Sequence, residues 1–148
     1  MAEVKVQLRQ VGPTTSEATL PRGHVTLVDR PEAKGGADNG PMGGEYFLTA
    51  VGGCFMSTLL AAIGAREAQV SNVRTEVTGT LGGEPTVFAS VSLEVSADCD
   101  DEELLQHLVD VAERGCIMVN SLKRGVDFSV HVGLRSEVHG LGRRSMKR

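Results

Sequence analysis

The sequence predicts an α+β fold, in which helices pack on an antiparallel sheet. The first reason is the order of the predicted elements, which is strand–strand–helix–strand–strand–helix–strand. Neighbouring strands are joined by hairpin-type turns, whereas a parallel sheet would need a helical crossover between its strands. The second reason is the run from Tyr46 to Ala65, which holds 20 residues and no charge. A helix this apolar has no face for water, so it must lie at the centre of the fold.

Two strands and a long loop are predicted before the central helix. Residues 3–11 alternate apolar and polar side chains, which is the pattern of a half-buried strand. The segment Gly12–Ser16 breaks this pattern, and a second strand is predicted over His24–Val28. The loop that follows, residues 29–44, contains five Gly and two Pro. Loops of this length are uncommon inside compact domains and usually have a function.

A hairpin is predicted after the central helix. Residues 73–78 and 87–95 alternate in the manner of strands, and Gly82–Gly83 between them is a hairpin turn signal.

A second helix follows the hairpin. Asp100 and Glu103 have the spacing of a capping box, which predicts where this helix begins. Its buried stripe continues to Cys116 at helical spacing and consists of Leu104, Leu105, Leu108, Val111 and Ala112.

A single domain is predicted over residues 1–134, because 148 residues suffice for one hydrophobic core. The last strand of this domain is expected over Val126–Val132. Residues 135–148 hold five basic residues and one acidic residue, and they are interpreted as a basic, solvated C-terminal tail.

The composition argues against several classes of function. The net charge of −4 gives the chain no basic field for nucleic acid, and aromatic residues, the stacking platforms for single strands, are only 3% with no Trp. The four His and three Cys show neither CxxC nor HxxxH spacing, so we expect no metal site. The glycine-rich segments do not match a phosphate-binding loop, so we expect no nucleotide cofactor.

The compartment is predicted from the cysteines and the N-terminus. An odd number of cysteines and an N-terminus without a signal-peptide core favour the cytoplasm. The uncharged run is long enough to span a membrane, but it contains three Gly, two Thr and one Ser, and the chain has no second span. We therefore expect a buried central helix and no membrane partner.

The cysteines allow two interpretations. Cys54 and Cys116 both lie on inward faces of helices, where a thiol is either an inert core group or a protected redox group. Cys99 lies between Asp98 and Asp100, and two neighbouring carboxylates disfavour a thiolate, so we expect it to be a bystander.

A reactive Cys54 would need a cation. Burial in mid-helix disfavours its thiolate, and an arginine is the best counter-charge because it keeps its proton. Glu45 lies two and a half turns before Cys54, so the two are not side by side, but Glu45 is suited to hold such an arginine across the helix start.

A specific resemblance rests on three segments. Asp29-Arg-Pro leads through a Gly-rich run to Glu45, then Leu48-Thr-Ala-Val-Gly-Gly-Cys54 follows, and Cys116 begins Cys-Ile-Met-Val-Asn-Ser-Leu. In these segments the chain resembles the family of osmotically inducible and organic hydroperoxide resistance proteins, the OsmC/Ohr family. Two positions depart from the family pattern, since Gly43 and Ile117 stand where prolines are typical.

The resemblance implies an intertwined homodimer in which antiparallel sheets wrap two central helices and the active sites lie at the subunit interface. It implies that Cys54 attacks a hydroperoxide, that Cys116 resolves the product, and that Glu45 positions an arginine beside the thiolate. Our first choice for this arginine is Arg22, with Arg9 and Arg30 as rivals.

The activity that the resemblance implies is that of a peroxidase, which reduces organic hydroperoxides and is restored by an external dithiol, without metal, haem or flavin. An alkyl hydroperoxide is a more suitable substrate than hydrogen peroxide, because apolar side chains would line the approach to the thiol. These side chains are Phe47, Val51, Phe55 and Met56. The alternative is a non-catalytic family member that binds a small apolar ligand in the dimer cleft, with its cysteines merely packed.

Overall fold

The computed structural model describes residues 1–134 and 144–147 and confirms the α+β prediction. Its first sheet is an antiparallel meander of β1 (Gln7–Gln10), β2 (Ser16–Thr19) and β3 (Val25–Val28). In its register Arg9 lies opposite Glu17, and the two side chains form an ion pair with an N–O distance of 3.0 Å.

The middle strand of this sheet, β2, was not predicted. Its sequence Ser-Glu-Ala-Thr lacks alternation, and only Ala18 is buried. Strand β2 forms because β1 and β3 satisfy its backbone on both edges. This is a tertiary effect that local pattern does not record.

The central helix, α1, extends over Gly43–Ala65 and begins slightly before the predicted start. One side of α1 packs on the rest of the chain and buries Val51, Gly52, Phe55 and Leu59. By length and composition α1 could cross a membrane. However, Phe55 and Leu59 belong to the buried cluster that α1 forms with later parts of the chain, so we interpret α1 as a core helix of the fold.

The predicted hairpin is confirmed. Strand β4 (Ser71–Gly82) pairs antiparallel with β5 (Val87–Asp98), and the side chains of both strands alternate between half-buried and exposed. The half-buried face packs on α1 so closely that a Cβ atom on Gly52 would lie 2.6 Å from a methyl carbon of Val77.

The second helix begins one residue later than predicted and is followed by a third. Helix α2 covers Glu102–Gly115, and its N-cap is Asp101, whose carboxylate accepts the Leu104 N–H at 3.0 Å. The expectation that Asp100 caps this helix was wrong, because the chain at Asp101 is still extended and turns only after it. Helix α3 (Ile117–Arg124) was not predicted, and Cys116 caps both α2 and α3.

The C-terminal part differs from the predicted last strand. Residues 125–130 are not in a strand, and β6 covers His131–Leu134, paired antiparallel with β7 (Arg144–Lys147). The predicted basic tail lies mostly outside the described residues, and its described part is β7.

The single chain leaves much apolar surface uncovered. The buried core is small and consists of Phe55, Leu59, Leu108, Ala112 and Cys116. The face of the first strand, expected to be half-buried, is exposed here, with Leu8 58% accessible. Other exposed apolar side chains are Met1, Val4, Val6, Val11, Val25, Leu60, Leu81, Val87, Ile117, Leu122, Val126, Phe128 and Val130.

Candidate functional site

The fold brings two of the predicted site residues together. Cys54 lies half-buried on α1 and packs against the core cluster that contains Cys116. Cys116 is completely buried at the junction of α2 and α3. The two thiols, 62 positions apart in the sequence, are close enough for the Cys54 side chain to affect the ionisation of Cys116.

The close approach of the helices depends on a glycine. A Cβ atom on Gly115 would lie 3.3 Å from the Thr58 methyl carbon, so a larger residue would push the end of α2 away from α1. Thr58 also donates its hydroxyl to the backbone oxygen of Cys54 at 3.1 Å. The end of α2 therefore lies directly against the turn of α1 that carries Cys54.

The pKa of the Cys116 thiol is raised. Burial is the largest cause, and the neighbouring Cys54 side chain adds to it. The backbone N–H groups of Val119 and Met118, at the start of α3, act in the opposite direction but do not outweigh burial. Cys116 is therefore protonated at neutral pH, and a protonated thiol is a poor nucleophile.

Glu45 lies at the start of α1, away from the thiols. Its carboxylate accepts the Met42 N–H at 2.9 Å, which satisfies one of the free donors at the helix start. Nine residues along an α-helix correspond to two and a half turns and about 13 Å. Glu45 and Cys54 are thus on opposite sides of α1, and one chain does not bring them together.

The three candidate arginines lie in different places. Arg22 is exposed on a short 3₁₀ turn with φ of 63°, and Arg9 is paired with Glu17. Arg30 lines a cavity of about 720 Å³ at the start of α1, and Glu45 lines the same cavity. Among the described residues, none of the ion pairs joins Glu45 to an arginine.

A buried polar network next to this cavity was missed by sequence reasoning. Asp29, only 3% exposed, accepts hydrogen bonds from the Thr15 hydroxyl and from the backbone N–H groups of Arg30 and Asn39. The available signal was Asp29 itself, an acidic residue at the first position of a long Gly-rich loop.

A second cavity, of about 310 Å³, lies between α1, β5 and the two later helices. Its walls are mainly apolar and include Val51, Phe55 and Val119. Glu113 and Lys123 also line it and form an ion pair at 2.6 Å with both side chains at least half exposed. The pair links α2 to α3 beside this cavity.

The remaining predicted residues have separate contacts. The Phe47 ring stacks on the Phe88 ring with a centroid distance of 5.3 Å, and the Met56 sulfur accepts a hydrogen bond from the Thr75 hydroxyl at 3.0 Å. Cys99 donates to the Asp101 backbone oxygen at 3.2 Å and is not among the residues packed on the thiol cluster. In the part of the chain that the structure describes, no cluster of His, Cys, Asp and Glu is arranged to hold a metal ion.

The family model for OsmC-like proteins matches residues 35–131. The chain belongs to the OsmC-like family. This confirms the resemblance found in the sequence. The matched segment contains Glu45, Cys54 and Cys116, but none of the three candidate arginines.

Solved structures of OsmC-like proteins share the fold at low identity. An OsmC-like protein of unknown function from Vibrio cholerae aligns with a TM-score of 0.69 and 16% identity, over 82% of this chain and 94% of that chain. The organic hydroperoxide resistance protein OhrB of Bacillus subtilis aligns with a TM-score of 0.62 and 22% identity, over 85% and 94%. An organic hydroperoxide resistance protein from Elizabethkingia anophelis aligns with a TM-score of 0.61 and 18% identity, over 86% of this chain and 92% of that chain. No curated protein sequence matches the chain.

Proposed function

We propose that this OsmC-like protein is a thiol-dependent peroxidase that reduces organic hydroperoxides to alcohols. The observation that carries the proposal is the thiol pair, since Cys54 and Cys116 lie side by side in an apolar cluster. The fold shared with organic hydroperoxide resistance proteins is consistent with this activity.

The proposed reaction has three steps. The Cys54 thiolate attacks the distal peroxide oxygen, the O–O bond breaks, and the alkoxide takes a proton and leaves as an alcohol. The product is a Cys54 sulfenic acid. Cys116 then attacks this sulfur, forms a disulfide and releases water, and an external dithiol reduces the disulfide by exchange.

The order of roles follows from burial and protonation. Cys54 is half-buried and therefore more accessible to a peroxide than Cys116, which is fully buried. The raised pKa of Cys116 keeps it a thiol at neutral pH. The apolar residues packed on the pair, such as Phe55 and Leu59, favour an alkyl hydroperoxide over hydrogen peroxide.

A homodimer belongs to the same proposal. Glu45 lies on the side of α1 opposite to Cys54, so the two act together only if one chain supplies the cavity at its helix start to the thiols of another. The exposed apolar residues of the first sheet and of α1 supply surface for such an interface. Sedimentation equilibrium at micromolar concentration is expected to show dimers, and a well-folded monomer there would contradict this part.

We propose Arg30 as the cation of this composite site, in preference to Arg22. Both arginines are exposed, but Arg30 lines the cavity together with Glu45, whereas Arg22 lies on a separate turn and does not line it. We expect Arg30→Ala to slow the oxidation of Cys54 and Arg22→Ala to leave it unchanged. The opposite pattern would mean that Arg22, and not Arg30, is the cation beside the thiolate.

For the compartment we propose the cytoplasm, where a dithiol reductant is present.

The proposal is tested by consumption of cumene hydroperoxide in the presence of dithiothreitol. The wild type is expected to turn over, and Cys54→Ser is expected to lose all turnover while remaining folded. Cys99→Ser is the matched control, because it removes a thiol that does not pack on the pair, and it should keep wild-type activity. Absence of turnover in the wild type would end the proposal.

The second candidate is a binding protein for a small apolar ligand. The cavity of about 310 Å³ beside Val51 and Phe55 favours it, since this volume lies at the lower end of ligand pockets. This function requires no chemistry of Cys54. It predicts no peroxide turnover, together with saturable binding of an apolar probe that Cys54→Ser does not change.

A further inference from the structure

Asp29 is a buried charge, and among residues 1–133 none of the ion pairs includes it. Its Oδ2 accepts the Thr15 hydroxyl at 2.8 Å and the Asn39 N–H at 3.1 Å, and its Oδ1 accepts the Arg30 N–H at 2.7 Å. Burial acts to raise the pKa of this carboxyl, but the hydrogen bonds outweigh it and hold the pKa well below its usual range. Asp29 is therefore ionised at neutral pH.

The same network closes the glycine-rich loop. The Asp29 N–H donates to the Pro41 carbonyl at 3.1 Å, which joins the two ends of the loop. The Asn39 side-chain amide donates to the Thr15 hydroxyl at 3.0 Å, which fastens the loop to the end of the first hairpin. Pro41 leads directly into Met42, the residue that the Glu45 carboxylate binds. The loop and the start of α1 are thus fixed to one another.

The network also holds the backbone of Arg30. Its N–H is bound by Asp29, and its carbonyl accepts the Asp38 N–H at 2.9 Å. Gly36 lies so close that a Cβ atom there would overlap the Arg30 carbonyl oxygen. With its backbone held on three sides, Arg30 lines the cavity that Glu45 also lines.

We propose that Asp29 is a positioning residue, whose buried carboxylate fixes the glycine-rich loop so that Arg30 faces the cavity lined by Glu45. Asp29 does not touch the reacting atoms and acts through Arg30. The catalytic consequence rests on the proposed peroxidase function. A carboxylate suits this position because both oxygens accept hydrogen bonds, whereas an amide has only one accepting oxygen.

The positioning itself is tested by hydrogen exchange on the full-length protein. Asp29→Asn places an NH₂ group against at least one bound donor, so the Arg30 and Asn39 amides are expected to exchange about tenfold faster or more. Asp38→Asn is the matched control, because it is the same change in the same loop at an exposed residue whose φ of 56° suits asparagine. Unchanged exchange in Asp29→Asn would overturn the proposal.

The catalytic consequence is tested by the rate at which one equivalent of an alkyl hydroperoxide oxidises Cys54. Asp29→Asn is expected to lower this rate about tenfold, since small displacements of a positioned group have large effects on rate. In an Arg30→Ala background the same change should cost nothing further. An equal loss in both backgrounds would show that Asp29 does not act through Arg30 and would overturn the proposal.

Variants at Thr15 test the same network in case the Asp29→Asn protein does not fold. Thr15→Val removes the hydroxyl that binds Asp29 and is expected to lower the rate of Cys54 oxidation. Thr15→Ser keeps the hydroxyl and should oxidise Cys54 at the wild-type rate. Equal rates in both Thr15 variants would overturn the proposal. If the wild type consumes no hydroperoxide, the proposed function fails, and hydrogen exchange alone decides whether Asp29 positions Arg30.

Discussion

The thiol pair and the Asp29 loop differ in the forces that hold their functional side chains. Around Cys116 the neighbours are apolar, such as Phe55 and Leu108, and close helix packing excludes water. Around Asp29 the neighbours are hydrogen-bond donors, and one carboxylate joins a hairpin end to both ends of a loop. Packing places a group but leaves its charge unfavourable, whereas a donor network places a group and keeps it ionised. A peroxidase of the proposed kind needs both environments.

The largest effects are expected at the thiol pair, where the two cysteines should fail differently. Treated with one equivalent of alkyl hydroperoxide, the wild type is expected to lose two hydrogen atoms in mass as an intramolecular disulfide. Cys54→Ser should show no oxidised species, because the attacking group is gone. Intact-protein mass spectrometry measures both. Oxidation of Cys116 in the Cys54→Ser protein at the wild-type rate would reverse the roles.

Cys116→Ser is expected to react normally in the first step and then to stop. With no partner thiol, the Cys54 sulfenic acid should gain further oxygen under excess peroxide and become sulfinic and sulfonic acid. Mass spectrometry should show these additions on the peptide that contains Cys54, and dithiothreitol should not reverse them. Reversible cycling of this variant at the wild-type rate would mean that Cys116 is not the resolving thiol.

The sequence predicted the helical region better than the N-terminal region. The uncharged run predicted α1, and the family resemblance paired Cys54 with Cys116 because both lie at characteristic positions. Helix α3 was missed because Cys116 and Ile117 show no ordinary helix-start signal, although Cys116 is its N-cap. Such a junction depends on how α2 packs against α1, which local sequence does not encode.

The Asp29 network was missed for a different reason. Its members, Thr15, Asp29 and Asn39, are separated in sequence and each is common in turns, so none stands out by itself. Only the folded loop shows that their hydrogen bonds converge. The sequence favoured Arg22 over Arg9 and Arg30 without knowing which of them lines a cavity with Glu45, because that depends on the closed loop and not on any motif.

The next effect concerns pH and separates the two chemical steps. Because the pKa of Cys116 is raised, its thiolate fraction at neutral pH is small and grows as pH rises. Disulfide formation after Cys54 oxidation should therefore accelerate with pH, and the increase should continue beyond about 8.5, the value of an ordinary thiol. Stopped-flow mixing followed by alkylation measures this rate. A rate that is constant between neutral and alkaline pH would contradict the buried, protonated state of Cys116.

A moderate effect on stability is expected from packing on α1. Gly52→Ala forces a Cβ atom against Val77, which should lower the free energy of unfolding by about 1–3 kcal/mol. Gly43→Ala is the control, because a Cβ atom there meets no other atom within 4 Å, and it should change stability by less than about 0.5 kcal/mol. Urea unfolding at one fixed protein concentration compares them. Equal effects would mean that α1 and β4 are packed less closely.

The smallest effect is expected from the Glu113–Lys123 pair, whose charges are exposed, whereas the charge of Asp29 is buried. Both side chains are at least half exposed, so water already solvates the charges, and a double-mutant cycle with alanine should give a coupling below about 1 kcal/mol that decreases with salt. Asp29→Asn should lower the free energy of unfolding by more than this coupling, because it leaves a buried donor without its acceptor. A coupling of several kcal/mol that salt does not change would mean that assembly of the protein buries this pair. The apolar cavity beside it would then be enclosed by a second subunit.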